Sequence, residues 1–370
     1  MLRVLCVLPK YVLCGGIESY AYNYYKYLDV SKCKMDFIAH EMVDLEYIKK
    51  IESRGGRTYL LPQFSLKNLL ILFKKMDDFF SQYRGEYDII HCHMANAAGF
   101  YFLIAQKHGI SACILHSHQS QAADSIFHCI RNKPLLWYAR YKANCYMACS
   151  TLAGDFLYGC HRYILINNAI EIDRFAYNVE LRSIIRSRLN IENKYVIGHV
   201  GRFSTQKNHK RLVEIFTKVR EKRNDVMLLL VGVGETMENI KELVKNNNLG
   251  DYVIFYGSSN EVEKLYQAMD VLVMPSFYEG LPVVAVEAQA SGLPCVLSSA
   301  ITKEVNISGN VKFVDLKEKD EVWVDCILQK VINTNRVFEK KCFVNRGYDI
   351  ESASNKLIEH YEKLLIELRK

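Results

Sequence analysis

The feature that most constrains the fold is an alternation of short apolar runs with longer amphipathic stretches along the whole chain. In the first half, apolar runs such as Arg3–Leu8 and Ala112–His116 are separated by segments with helical periodicity, and the same pattern returns from Tyr195–Val200 onwards. Strands that alternate with helices form parallel sheets built from β-α-β units. Two such series predict an α/β protein with two doubly wound, Rossmann-like domains.

The predicted domain boundary falls between Phe175 and Asn193, where the apolar pattern lapses. We expect a first domain over residues 1–178 and a second over residues 190–349. A last amphipathic segment, residues 352–370, is expected to form a helix that packs back onto the first domain. The length of 370 residues allows each domain to bury a full core.

Composition excludes several classes of protein. Apolar residues make up 50% of the chain and charged residues 24%, which excludes a disordered, collagen-like or coiled-coil chain. The opening apolar run stops at Pro9-Lys10 and lacks the features of a signal peptide. The 12 cysteines include no Cys-x-x-Cys pair, so we expect reduced thiols in a cytoplasmic protein, with a zinc or redox site as the alternative. A net charge of +7 is too small to indicate a nucleic-acid partner.

The strongest signal for chemistry follows the predicted strand Val271–Met274. Leu281-Pro282 is suited to start a helix, and Gly292 is suited to follow its end. The positive N-terminus of a helix binds anions through free backbone N–H groups. Here the amides that would do so belong to Gly280, Leu281 and Val283.

Two carboxylates flank this predicted anion site, Glu279 in the loop and Glu287 in the second turn of the helix. A carboxylate accepts hydrogen bonds from the hydroxyl groups of a diol. An anion site between two carboxylates is therefore the outline of a site for a nucleotide sugar. The alternative is a capping carboxylate and a surface glutamate.

A second signal follows the predicted strand Tyr195–Val200. Arg202 and Lys207 flank a polar turn that leads into a helix. A guanidinium group and an ammonium group from one loop can bind a diphosphate and offset the charge that builds up when it leaves. The alternative is a pair of solvated surface cations.

The first half offers glycines and histidines after its predicted strands. Gly15-Gly16 would let the backbone approach a ligand closely, but neither a dinucleotide fingerprint nor a Walker loop is present. Two further strands are followed by histidine pairs, His91 with His93 and His116 with His118. Contact with a substrate, a zinc site and ordinary buried histidines remain open. The chain contains no Asp-x-Asp triplet, so a metal-dependent nucleotide-sugar clamp of that type is absent.

Taken together, these segments resemble the family 4 glycosyltransferases, which have the GT-B fold of two Rossmann-like domains facing a central crevice. In the second half the resemblance rests on Gly201-Arg202-Phe203 with Lys207-Asn208, Glu279-x7-Glu287 and Gly292-Leu293-Pro294. In the first half it rests on Gly15-Gly16-Ile17-Glu18, His91-Cys92-His93 and Leu115-His116-Ser117-His118. The His-Ser-His form is similar to the branch that builds capsules and exopolysaccharides. One departure is Asn168-Ala169-Ile170-Glu171, where many relatives read Asn-Gly-Ile-Asp.

The resemblance implies a role for each of these positions. Arg202 and Lys207 would hold the diphosphate, Glu287 would bind the donor ribose, and Glu279 would contact the transferred sugar with the amides of Gly280, Leu281 and Val283. Gly16, beside Gly15, would donate its amide to the phosphates or make room for the acceptor. His116 would be the active-site histidine near the donor sugar, with His118 as the second choice.

The resemblance also implies a retaining transfer that needs no metal or other cofactor. A UDP-sugar is the favoured donor, ahead of a GDP-sugar, and the acceptor would be a lipid-linked or oligosaccharide glycan in cell-surface polysaccharide synthesis. Two alternatives remain open. One is a GT-B relative with other chemistry, a nucleotide-sugar epimerase or a phosphorylase, and the other is a non-catalytic nucleotide-binding partner subunit.

A basic and aromatic segment raises the question of membrane contact. Pro134-Leu135-Leu136-Trp137-Tyr138 lies among Arg131, Lys133, Arg140 and Lys142. This composition suits a helix in transient contact with anionic lipid at the inner face of the membrane. An ordinary helix with one face against the sheet is the alternative.

Overall fold

The computed structural model describes residues 1–12, 16–118, 126–329, 336 and 338–369. The chain forms two compact units. The first combines Met1–Ala169 with Asp349–Lys370, and the second comprises Ile170–Tyr348.

The first unit is built on a parallel sheet that contains seven strands in the described residues. Their order is β3-β2-β1-β4-β5-β6-β7. The strands are β1 (Leu2–Val7), β2 (Cys33–Ala39), β3 (Thr58–Leu60), β4 (Ile89–Cys92), β5 (Ala112–Ser117), β6 (Cys145–Ala148) and β7 (Ile164–Leu165). The central strands are buried on both faces, which explains why their sequences are continuous apolar runs.

Helices cover both faces of this sheet. They are α1 (Gly16–Tyr27), α2 (Leu45–Glu52), α3 (Leu69–Gln82), α4 (Ala95–Lys107), α5 (Ile126–Lys142) and α6 (Thr151–Tyr158), joined by the last helix of the chain, Ile350–Leu368. That last helix packs beside α1, with Leu357, Ile358 and Tyr361 buried in the core that α1 and one face of the sheet share. The prediction that it packs back onto the first domain is confirmed.

The second unit repeats the architecture with a parallel sheet of six described strands. Their order is β10-β9-β8-β11-β12-β13. The strands are β8 (Tyr195–Val200), β9 (Val226–Val231), β10 (Val253–Gly257), β11 (Val271–Met274), β12 (Cys295–Ser298) and β13 (Val311–Val314). The helices are α7 (Ile172–Phe175), α8 (Val179–Arg188), α9 (His209–Lys222), α10 (Met237–Asn246), α11 (Val262–Ala268), α12 (Val283–Ala290), α13 (Asp320–Gln329) and α14 (Lys340–Asn345), and the last helix becomes α15.

The division between the units lies earlier than the sequence predicted. The predicted first domain ended at residue 178, whereas the second unit begins at Ile170. The reason is packing, because Ile172 and Phe175 of α7 are buried in the core of the second unit. Arg182 of α8 also donates hydrogen bonds to the carbonyl groups of Gln267 and Met269 at 2.7 and 2.9 Å.

The strand orders explain where ligands can bind. Each sheet runs outwards in both directions from its first strand, so a topological switch point lies between β1 and β4 in the first unit and between β8 and β11 in the second. In open parallel sheets the loops beyond such switch points form ligand sites. Each group of candidate residues therefore follows one of these central strands or its neighbour β5. In the part of the chain that the structure describes, no helix is both long and apolar enough to cross a membrane.

Candidate active site

Hydrogen bonds join the loops that follow β8 and β11. The amide of Phe277 donates to the Gln206 carbonyl oxygen at 2.9 Å, and Gln206 Nε2 donates to the Tyr278 carbonyl oxygen at 2.9 Å. Asn208 Nδ2 also donates to the Pro275 carbonyl oxygen at 3.0 Å. The two segments that the sequence singled out in the second half are therefore parts of one site.

Lys207 and Glu279 form an ion pair at this junction. Lys207 Nζ lies 2.6 Å from Glu279 Oε1, and the two side chains are only 15% and 8% exposed. Glu279 Oε2 accepts a second hydrogen bond from Gln206 Nε2 at 3.3 Å, and the Glu279 backbone pairs with Ile301. The sequence indicated both residues but not this direct pairing.

Arg202 occupies the same loop in a different way. Its side chain is exposed, and no hydrogen bond or ion pair joins it to another residue of the described ranges. The next residue, Phe203, is fully buried and stacks on His209 with ring centroids 4.1 Å apart. Because its own side chain is exposed and has no partner among the described residues, the Arg202 guanidinium group is available to an anion from solvent.

Helix α12 begins one residue later than predicted. Pro282 is its N-cap, with φ −72° and ψ 106°, and so lies outside the first turn. Gly280 precedes it in open space, since a Cβ atom at that position would meet no described atom within 4 Å. Leu281 is buried, and Val283 is the first residue of the helix. At the other end Gly292 has φ +66° and follows the helix as predicted.

Glu287 lies in the second turn of α12, as predicted, and has a partner that the sequence did not indicate. The Tyr266 hydroxyl group donates a hydrogen bond to Glu287 Oε2 at 2.8 Å. Burial raises the pKa of Glu287, although this hydrogen bond opposes the shift. The structure thus gives the two carboxylates different environments, Glu279 against a lysine and Glu287 against a tyrosine.

The glycine pair of the first half is described in part. Gly16 starts α1, and a Cβ atom there would meet nothing within 4 Å among the described residues. Gly15 lies outside the described residues.

The four histidines that the sequence singled out in the first half, His91, His93, His116 and His118, form one cluster. His91 belongs to β4 and His116 to β5, and residues two apart on a strand share a face, so His93 and His118 follow on the same side. His91 Nε2 lies 2.9 Å from His116 Nδ1, and His93 Nδ1 lies 2.7 Å from His118 Nε2. The two pairs stack, with ring centroids 4.4 Å apart between His91 and His93 and between His116 and His118.

Burial keeps these imidazoles neutral. It lowers the pKa of His91 and of His118 to about 3, and it lowers the pKa of His93 and His116 well below the ordinary value. Neutral histidines are also the form that binds metals. Nitrogen atoms of His91, His93 and His116 lie within 4.8 Å of one another, so the zinc alternative retains a geometric basis.

Tyr361 completes the cluster from the distant α15. Its hydroxyl group lies 2.7 Å from His91 Nδ1. The sequence predicted the helix but not this contact, because 270 positions separate the two residues and no local spacing relates them. The amphipathic pattern of α15, which places Tyr361 on its apolar face, was the one available signal.

Comparison with known proteins agrees with this architecture. Residues 14–174 match the family model for "Glycosyltransferase Family 4" and residues 182–328 match the model for "Glycosyl transferases group 1". A solved structure of Anabaena Alr3699/HepE in complex with UDP and glucose has a similar fold, with a TM-score of 0.77 at 18% identity over 98% of this chain and 100% of that one.

Two curated relatives extend the likeness over most of the sequence. The chain is 26% identical to the UDP-Gal:alpha-D-GlcNAc-diphosphoundecaprenol alpha-1,3-galactosyltransferase of Escherichia coli, over 76% of each protein. It is 32% identical to the putative glycosyltransferase EpsF of Bacillus subtilis, over 94% of this chain and 93% of that protein. On this likeness and on its two GT-B domains, the chain belongs to glycosyltransferase family 4.

Proposed function

We propose that the protein moves a sugar from a UDP-sugar to a hydroxyl group of a lipid-linked glycan in cell-surface polysaccharide synthesis, with retention of the anomeric configuration. Support for the donor comes from the UDP and glucose in the HepE structure and from the UDP-galactose in the name of the E. coli relative. Support for the acceptor comes from the diphosphoundecaprenol in that same name.

The observation that carries the proposal is the ion pair between Lys207 and Glu279. Removing the charges of a lysine and a glutamate from water costs free energy, and the cost is offset only if each charge has a partner. A sugar diphosphate offers a new partner to each of them, because its phosphate oxygens accept from the ammonium group and its sugar hydroxyls donate to the carboxylate. Binding would therefore exchange one internal contact for two contacts with the donor.

The remaining site residues would also bind the donor. The exposed Arg202 and the backbone amides of Gly280, Leu281 and Val283 would bind phosphate oxygens, and Glu287 would accept from the ribose hydroxyl groups. Gly16 would leave room for a ligand at the first switch point. His116, or His118 beside it, would contact the transferred sugar.

The transfer step would break the bond between the anomeric carbon and the diphosphate oxygen while the acceptor hydroxyl forms a new bond on the same face. The proton of that hydroxyl passes to the departing diphosphate oxygen. Arg202 and Lys207 would stabilise the charge on the leaving group. We propose that these two cations suffice and that no metal or other cofactor is required.

Thermal unfolding with UDP, GDP and ADP, each with and without EDTA, tests donor binding. A ligand that binds only the folded state raises the melting temperature. We expect UDP to raise it in the presence of EDTA as well. A shift with GDP alone, or one abolished by EDTA, would contradict the proposed donor or the proposed metal independence.

Site variants test the catalytic assignment. Lys207→Ala and Glu279→Gln are expected to lower transfer to a lipid-linked acceptor at least about a hundredfold, since each group acts on the leaving group or the sugar. The control is Lys210→Ala, which removes an exposed lysine three positions further on. Full transfer by both site variants would contradict the assignment. An epimerised nucleotide sugar, or transfer that depends on phosphate, would instead show other GT-B chemistry.

We further propose that the protein works at the inner face of the membrane through α5. Trp137 and Tyr141 are 59% and 70% exposed on that helix, and their rings stack at 5.8 Å. Arg131 and Lys133 are exposed nearby. Aromatic rings beside cations suit the headgroup region of an anionic bilayer. Arg140 is less available, because its guanidinium donates to the Leu157 carbonyl oxygen at 3.1 Å.

A further inference from the structure

A continuous line of hydrogen bonds leads from α15 to His116. The Tyr361 hydroxyl group lies 2.7 Å from His91 Nδ1, and His91 Nε2 lies 2.9 Å from His116 Nδ1. All three side chains are buried. The line ends at His116 Nε2, a buried atom that has no hydrogen-bond partner in the described part of the chain.

The hydrogen bonds can run from Tyr361 to His116 or from His116 to Tyr361. We compare how many buried polar groups each direction leaves without a partner. If Tyr361 donates to His91 and His91 donates to His116, only the N–H group at His116 Nε2 lacks a described partner. If the bonds run the other way, the hydroxyl hydrogen of Tyr361 and the lone pair of His116 Nε2 both lack one. Buried polar groups are rarely left unpaired, so the first direction is favoured.

We propose that Tyr361 and His91 are positioning residues that hold His116 as the tautomer with its proton on Nε2, so that His116 donates a hydrogen bond to an oxygen of the donor sugar. This inference rests on the proposed function, in which His116 contacts that sugar. It gives the C-terminal helix a part in the site.

The titration of these groups supports the arrangement. Burial raises the pKa of Tyr361, so its hydroxyl group stays protonated and can donate. Burial lowers the pKa of His116, so its ring is neutral and its tautomer depends on its neighbours. His91 is the neighbour bonded to its Nδ1.

Tautomers can be read directly by nitrogen NMR of the full chain labelled with [15N]histidine. We expect the signals of His116, identified by their loss in His116→Gln, to show a protonated Nε2 in the wild type. In Tyr361→Phe, we expect proton occupancy to shift towards Nδ1. An unprotonated Nε2 in the wild type, or an unchanged tautomer in Tyr361→Phe, would overturn the proposal.

Steady-state kinetics provide a second test of the positioning role. Tyr361→Phe is expected to lower kcat about tenfold, the size of one lost hydrogen bond in the transition state, with KM for the donor changed less than about twofold. The matched control is Tyr25→Phe, which removes a buried tyrosine hydroxyl group from the same core, where it donates to the Ile51 carbonyl oxygen at 2.9 Å. Equal losses in the two variants would show that Tyr361 is merely structural.

Variants of His91 separate donation from packing. Glutamine at this position can still donate to His116 Nδ1, so His91→Gln should keep most of kcat, whereas His91→Leu should lose it.

If His116→Gln is itself fully active, the proposed function of His116 fails. If His116→Gln is inactive while Tyr361→Phe and His91→Leu match the control, the positioning role fails alone. Stoichiometric zinc in the purified protein, lost in His91→Leu, would also overturn the proposal.

Discussion

At the scale of single residues, the proposed donor site holds charges that are partly satisfied before any ligand binds. Lys207 and Glu279 pair with each other at 2.6 Å, and Glu287 accepts from Tyr266 at 2.8 Å. Arg202 is the contrasting case, an exposed cation without a described partner. The proposed site therefore combines charged groups that already have a partner with one exposed cation that has none among the described residues. Such groups bear a stability cost that can be measured.

Replacing Glu287 with glutamine is expected to raise the melting temperature of the unliganded protein and to weaken UDP binding. Burial raises the pKa of Glu287 above its ordinary value of 4.5. The folded protein therefore binds more protons here than the unfolded chain does, and stability falls as the pH rises from about 4.5 through the folded-state pKa. Glutamine carries no charge, so the advantage of the variant should grow over that range and then level off.

Thermal unfolding over a pH series, with and without UDP, measures both effects of this substitution. Glu238→Gln is the control, because Glu238 is a highly exposed member of an ion pair with Lys241 in α10. It should change neither the melting temperature nor the response to UDP appreciably. A Glu287→Gln protein that is less stable than the wild type at neutral pH would contradict the argument.

At the scale of elements, the sequence predicted the strands and motif residues that depend on local pattern. It did not predict the contacts between residues that are distant along the chain. The buried central strands were found because both of their faces are apolar. The edge strand β13 has no such continuous apolar run, because Val311 and Phe313 are only partly buried and Lys312 between them is exposed. Motif order indicated Lys207 and Glu279, but their pairing arises where two loops meet. Nothing in the local pattern links His91 to Tyr361.

Helix α5 carries the prediction that belongs to this scale. Arg131→Glu with Lys133→Glu is expected to reduce binding to vesicles containing phosphatidylglycerol at least about thirtyfold, because each of the two cations contributes about 1 kcal/mol near an anionic surface. Sedimentation with vesicles at low and high salt measures the effect, and the wild type should lose binding at high salt. The control reverses Lys241 and Lys245, two exposed lysines on α10, with the same change in net charge. Equal losses would show a general charge effect and no role for α5.

At the scale of the whole molecule, the chain leaves its first unit at residue 169 and returns to it at residue 349. The second unit is thus inserted between the body of the first unit and its last helix. Helix α15 buries Ile350, Leu357, Ile358 and Tyr361 almost completely. Its packing joins the stability of the first unit to the far end of the sequence, while the core of the second unit is continuous in sequence.

Deleting residues 349–370 should therefore affect the two units unequally. Each large apolar side chain of α15 stabilises the first unit by about 1.5–3 kcal/mol, so losing four of them removes an amount comparable with the whole stability of a domain, about 5–15 kcal/mol. We expect the first unit to unfold and the second to remain folded, because its core lies within 170–348. Calorimetry should show one transition lost and one kept, and UDP should still raise the remaining one, since every proposed diphosphate ligand except Gly16 belongs to the second unit. Loss of both transitions, or retention of both, would contradict this division.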